Sequence, residues 1–208
     1  TTSSPPPLPE GPTRSCNIYG DPHISTFDGA HADYYTPGEY WIVFSVEVKI
    51  QARYYALPIT HGLSVTKEIA ISGSFIQNNV LVIGHDGATW NGQPVLGGFP
   101  STFDDPAGLV HMQLNAVGKL LQKNREGKAM HVVHVQLPNR VSLQINRWNL
   151  PGEGPYINVE ITMPAIPGQD GHCGNFNGNP ADDERPQVRA RMGTQGVDAK
   201  DLLFAGGK

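Results

Sequence analysis

"EYWIVFSVEVKIQARYY" (Glu39–Tyr55) decides the fold class. It is rich in β-branched and aromatic residues, and its apolar run "YWIVF" (40–44) is strand-length, far short of the ~18 apolar residues of a membrane span. Part of it alternates. Val46, Val48 and Ile50 fall on one face and Glu47, Lys49 and Gln51 on the other, the period of a half-buried strand. Working outward, segments of the same kind follow: "LSVTKEIAIS" (63–72), "SFIQNNVLVIG" (74–84), "GLVHMQLN" (108–115), "HVVHVQL" (131–137), "RVSLQINRW" (140–148) and "YINVEITM" (156–163). Gly, Pro, Asn or Asp bound them, as expected of strands joined by turns. Asn91-Gly92, between "ATW" and "QPVL", predicts a hairpin, because a type I′ turn needs positive φ at both central residues. The expectation is an all-β protein, an antiparallel β-sandwich of about ten strands with minimal helix. A short helix is expected only in "VDAKDLLFAGG" (197–207), with Gly206 as its stop. Trp41, Trp90 and Trp148 lie in or beside strands and read as core.

Composition agrees with this class. The 208 residues make one large domain, and Gly (24) and Pro (18) are abundant, as in a turn-rich β protein. The net charge of −4 and the lack of a basic run give no footprint for nucleic acid. Residues 1–15 form a Pro/Ser/Thr-rich extended arm containing "PPPLP", which favours polyproline II. The opening reads as the mature end left after processing, or as an expression boundary. No Asn-x-Ser/Thr sequon is present. His131 and His134 stand three apart, on opposite faces of a strand, which argues against a shared zinc. There is no Gly-x-Ser-x-Gly elbow and no His-Glu-x-x-His motif, and Asp104-Asp105 reads as a turn, so an enzyme is the least favoured class.

Two stretches carry chemistry. The first is "CNIYGDPHISTFDG" (Cys16–Gly29). Asp21-Pro22 is a turn, a cation ligand or an acid-labile bond with His23 as proton donor, and Asp28-Gly29 reads as a structural turn. The second is "GHCGNFNGNPADDE" (Gly171–Glu184), with oxygen-bearing side chains at Asn175, Asn177, Asn179, Asp182 and Asp183. Alternating oxygens in a Gly-containing loop suit calcium, although Asn-Gly turns also occur for conformational reasons alone. Cys16 and Cys173, the only cysteines, are two buried thiols or one bridge closing a very long loop.

Taken together, Cys-x-x-x-Gly-Asp-Pro-His-x-x-Thr-Phe-Asp-Gly and the distant Cys-Gly-Asn-Phe-Asn-Gly with its paired Asp resemble the von Willebrand factor type D domain. "GEYWIV" (38–43) resembles the family's first long strand and "ATWNGQPV" (88–95) its Asn-Gly hairpin. The resemblance covers about residues 16–185, with 186–208 as a C-terminal extension. It implies one calcium site built from both motifs, with Asp21, Asn175, Asn177, Asp182, Asp183 and a backbone carbonyl near Asn179. It also implies a Cys16–Cys173 disulfide and an extracellular setting, and it raises self-cleavage at Asp21-Pro22, since some members with Gly-Asp-Pro-His cut there. The chain departs from the family in keeping only one cysteine pair, with no thiol in "TPGEYW", so assembly through linked cysteines is not expected. The functional expectation is a secreted or cell-surface, calcium-stabilised assembly module. It would associate with further copies, or with other matrix or surface proteins, through its Pro-rich arm. The alternative is an extracellular lipid-binding, ligand-binding or adhesion protein.

Overall fold

The structure is a computed structural model describing residues 10–119, 123, 127–147, 155–192 and 196–204. Two antiparallel sheets face one another. The first contains β1 (Thr13–Tyr19), β2 (His23–Ser25), β3 (His31–Asp33), β10 (Ser101–Asp104), β11 (His111–Asn115), β12 (His131–Gln136), β13 (Ser142–Arg147) and β14 (Ile157–Pro164), in the order β10-β11-β12-β13-β14-β1-β2-β3. The second runs in chain order: β4 (Gly38–Phe44), β5 (Lys49–Ala56), β6 (Ser64–Ser72), β7 (Leu81–Gly84), β8 (Ala88–Trp90) and β9 (Gln93–Val95). The all-β sandwich expectation is met. The strands among the described residues number fourteen rather than about ten, because short pieces such as β2, β3, β8 and β9 extend the sheets. The Asn91-Gly92 turn joins β8 to β9 with φ of 51° and 77°, as its sequence predicts.

The core is the interdigitated inner faces. Ile18, Ile145, Val159 and Ile161 from the first sheet meet Ile50, Ile69, Ile71 and Ile83 from the second. β6 packs against β1 and β14 at the centre. Period-two alternation puts these residues inward and leaves polar neighbours outward.

The opening stretch does not run as one strand. Ser45–Val48 is a tight turn in which the Ser45 hydroxyl accepts from the backbone N–H of Val48 at 2.9 Å. Val46 therefore sits at a hairpin tip, 80% exposed, and shares no face with Val48 or Ile50. Gln51, expected on a polar outer face, is fully buried. Its Nε2 donates to the Asp201 carbonyl at 2.8 Å and its Oε1 accepts from the Leu203 N–H at 3.0 Å. The C-terminal segment thus covers the outer face of β5, with Phe204 buried under the Arg53 guanidinium.

Of the segment expected to be helical (197–207), the described part forms only a 3₁₀ turn at Ala199–Asp201. The α-helix of the described residues, α1, is Arg185–Met192, within one residue of the C-terminal extension. Its composition hides it, since Val188 is its one buried residue. What holds it is Arg191, whose guanidinium meets Asp170 with two bonds of 2.8 and 2.9 Å. His131 and His134 have separate partners, the Phe99 ring and the Val117 carbonyl. Trp41 and Trp90 are half-buried rather than core. Trp148 and residues 1–9 of the arm lie outside the described residues.

Candidate metal centre

The chain ends meet where β1 pairs with β14. Cys16 lies on β1 opposite Ile161, and a disulfide joins it to Cys173 across 157 positions of sequence. Residues 170–173 run along β4. Asp170 and Phe44 exchange backbone hydrogen bonds, and His172 and Cys173 donate to the carbonyls of Trp41 and Ile42. This covers the free edge of the second sheet. Gly171 permits the approach: its φ is +125°, and a Cβ there would stand 2.4 Å from the Ile42 carbonyl oxygen.

The first motif is knitted onto the same place. Phe27 N–H donates to the Cys173 carbonyl at 3.1 Å, and the Phe27 ring stacks on Phe176 at 4.9 Å. The Arg14 guanidinium lies over the other partner of that stack, Phe176, and contacts Asp28 at 3.4 Å.

From Gly174 the chain makes a ladder of side-chain turns. Asn175 Oδ1 accepts from Asn177 N–H, Asn177 Oδ1 from Asn179 N–H, and Asn179 Oδ1 from Ala181 N–H, at 3.2, 2.8 and 3.2 Å. The last caps a 3₁₀ turn, Pro180–Asp182, which returns the paired carboxylates to the start of the loop. There Asp182 Oδ2 accepts from the amides of Asn175 and Asn177 at 3.1 and 2.8 Å. Asp183 Oδ1 accepts from the Asn175 backbone N–H at 3.1 Å. Gly174 leaves room for Asp183, since a Cβ would lie 2.1 Å from its Oδ2.

The electrostatics of the cluster are unbalanced. The side chains of Asp28 and Asp183 are fully buried. One oxygen of each of Asp28, Asp182 and Asp183 is buried with no hydrogen-bond partner. Burial pushes the Asp183 carboxyl up, against hydrogen bonds from Thr26 and the Asn175 backbone, and Asp28 and Asp182 add to the rise. The Asn177 amide, then that of Asn175, holds Asp182 below the usual carboxylate range. The nearby cations are Arg191, whose Nη2 is 3.6 Å from Asp183 Oδ1 and which is shared with Asp170, and the half-exposed Arg14 at Asp28. Buried carboxylates with unfilled oxygens are costly, so this arrangement calls for a further positive charge.

The structure brings Asn175, Asn177, Asn179, Asp182 and Asp183 together and leaves Asp21 out. Asp21 sits in the turn between β1 and β2, among the charges felt by the Tyr35 hydroxyl. The acidic residue of the first motif that reaches Asp183 is Asp28. A sequence signal for this existed: Phe27, next to Asp28, is the apolar residue able to bury that turn. Among the described residues no three His, Cys, Asp or Glu side chains already converge on one point, so the set able to hold a metal is a mixed one of carboxylates, amides and backbone oxygen. Pro22 is buried and His23 is half-buried, its Nδ1 2.6 Å from Asp33 Oδ1.

No model of a known family matches the chain, and a search of curated proteins finds no similar one.

Proposed function

We propose that this protein is a secreted or cell-surface structural module, non-enzymatic, whose two chain ends are locked by one calcium ion beside the disulfide. The observation that carries the reading is the trio of buried, unpartnered oxygens on Asp28, Asp182 and Asp183. With Asn175, Asn177 and a backbone carbonyl near Asn179, the donors are all oxygen and reach the roughly six that calcium takes. Asp28 replaces Asp21 in the ligand set expected from sequence. A disulfide spanning the same junction suits an oxidising compartment.

A cation bound only by the folded state must stabilise it. With free calcium about 100-fold above its Kd, the melting temperature should rise by roughly 5–10 °C over the chelated protein. Asp182→Ala with Asp183→Ala should abolish the rise, and Asp28→Asn should reduce it. A midpoint indifferent to calcium and chelator sinks the metal site. The role in assembly, through docking of the Pro-rich arm on another copy, rests on arm composition. Deleting residues 1–12 should reduce the particle size measured by light scattering, and an unchanged size removes the arm from assembly.

Self-cleavage at Asp21-Pro22 is a second reading favoured by one observation: His23, next to the bond, is held by Asp33, its Nδ1 2.6 Å from Asp33 Oδ1. In that reaction the Asp21 carboxylate attacks its own carbonyl carbon, the C–N bond to Pro22 breaks, and the proline nitrogen takes a proton, with His23 as its source. Water then opens the cyclic anhydride. Because the disulfide spans the cut, the product should separate only on a reducing gel. Asp21→Asn should give one band there, and a single band for the unaltered protein excludes the reaction. The lipid-binding alternative calls for a large apolar cavity, whereas the cavity beside α1 is about 220 Å³ and lined in part by arginines.

A further inference from the structure

The cavity between α1 and β4 has about 220 Å³ of space and opens to the surface. Arg185, Val188, Arg189 and Met192 line one wall, spaced so that they share a helix face. Tyr34, Tyr40 and Trp41 form the other. The volume is below the ~300–1,000 Å³ of sites for drug-sized molecules, so the natural occupant has about one ring.

The helix carries three arginines, differently employed. Arg191 is consumed by Asp170 and the calcium loop. Arg185 and Arg189 make no ion pair among the described residues. The Arg185 guanidinium lies over the Tyr34 ring at 5.5 Å, and its Nε is buried without an acceptor. Tyr34 is 5% exposed and its hydroxyl also lacks a partner. Two neighbouring buried donors on lining residues are thus unsatisfied, and an acceptor bound in the cavity would relieve both. Arginine presents a planar fork matched to a carboxylate.

We propose that this cavity binds a small organic carboxylate with a flat apolar body. The carboxylate accepts from Arg185 and the Tyr34 hydroxyl, and Arg189 adds charge at the rim. The body lies between Trp41, Tyr40 and the aliphatic side chains of Val188 and Met192. Phosphate and sulfate would satisfy the cations but leave the aromatic walls uncovered. Cations and pure donors are rejected by the charge.

The test uses the whole protein and phenylacetate as probe, followed by Trp41 emission and by NMR shifts. Saturable binding with Kd of about 1 mM or tighter is expected. Phenylacetamide, of the same shape without the charge, should bind at least tenfold more weakly, as should phenylacetate to Arg185→Gln with Arg189→Gln. Tyr34→Phe should weaken binding severalfold while leaving the melting temperature unchanged or higher, because it deletes an unpartnered buried hydroxyl. A purely structural tyrosine would not separate those two readouts. N-acetylphenylalanine distinguishes the source of the carboxylate: tighter binding than phenylacetate assigns the site to peptide ends, weaker binding to free acids. Absence of saturation, equal binding of the amide, or equal binding of sulfate overturns the proposal. If the arginine pair variant fails to fold, the comparison of acid with amide on the unaltered protein decides alone.

Discussion

Replacing both cysteines, as Cys16→Ser with Cys173→Ser, is expected to cost about 2–5 kcal/mol and to lower the melting temperature by roughly 5–15 °C. The bridge closes a loop of 157 positions, near the upper end of what loop entropy can return. The native state has its own reasons to need it. Cys173 supplies the carbonyl that receives Phe27 N–H and the N–H that meets Ile42, so the bridge holds a junction of both sheets and both motif loops. Both sulfurs are fully buried, and serine hydroxyls there would lack partners. The comparison belongs in chelator, so that the proposed calcium site does not add to the effect. Denaturant unfolding showing a change below about 1 kcal/mol would mean that the strand pairing of β1 with β14 suffices by itself.

Acid should destabilise the protein through His172. Its imidazole is buried, stacked on Tyr34 at 3.6 Å, with Nδ1 3.4 Å from the Tyr54 hydroxyl. Burial, then the charge of Arg185, pushes its pKa down from 6.5 to about 3. The folded pKa lies below the unfolded one, so the unfolded chain takes up the proton first. The contribution is intact above about 6.5 and is lost as pH falls from there towards about 3, by up to about 1.4 kcal/mol per pH unit. Between pH 6.5 and 4.5 the loss reaches about 2–3 kcal/mol. His172→Phe keeps a ring in the stack and removes the titration. The difference between the two proteins isolates His172 from the carboxylates, and parallel pH profiles would show that the histidine takes its proton in place.

Much of the fold was legible because strand signals are local. Runs of Val and Ile bounded by turn residues made the existence of most strands plain, and Asn91-Gly92 fixed a hairpin. What stayed hidden was set by distant partners. Gln51 looks solvent-facing until the segment around Leu203 covers it. Val46 continues an alternation that the Ser45 turn interrupts. Helix α1 has no apolar stripe to betray it and depends on an ion pair to Asp170. The candidate site was legible in its second half, where five oxygen-bearing residues fall within nine positions. In the first half two Asp residues competed. Asp21 had the more distinctive neighbours, but the stack of Phe27 on Phe176, a contact between loops, brings Asp28 to the cluster instead.

The Gln51 amide has a consequence for synthesis on the ribosome. Its two partners lie 150 and 152 positions downstream. While the chain is emerging, the second sheet can form from consecutive hairpins, yet its β5 outer face keeps an unpaired amide until Asp201 to Phe204 arrive, and its inner face, with Ile50, Ile69 and Ile71, stays uncovered until the first sheet is complete. The first sheet is likewise incomplete until β14 reaches β1. Nascent chains should therefore be recognised by chaperones at least until Asp201 to Phe204 have emerged and closed over the sheet made before them.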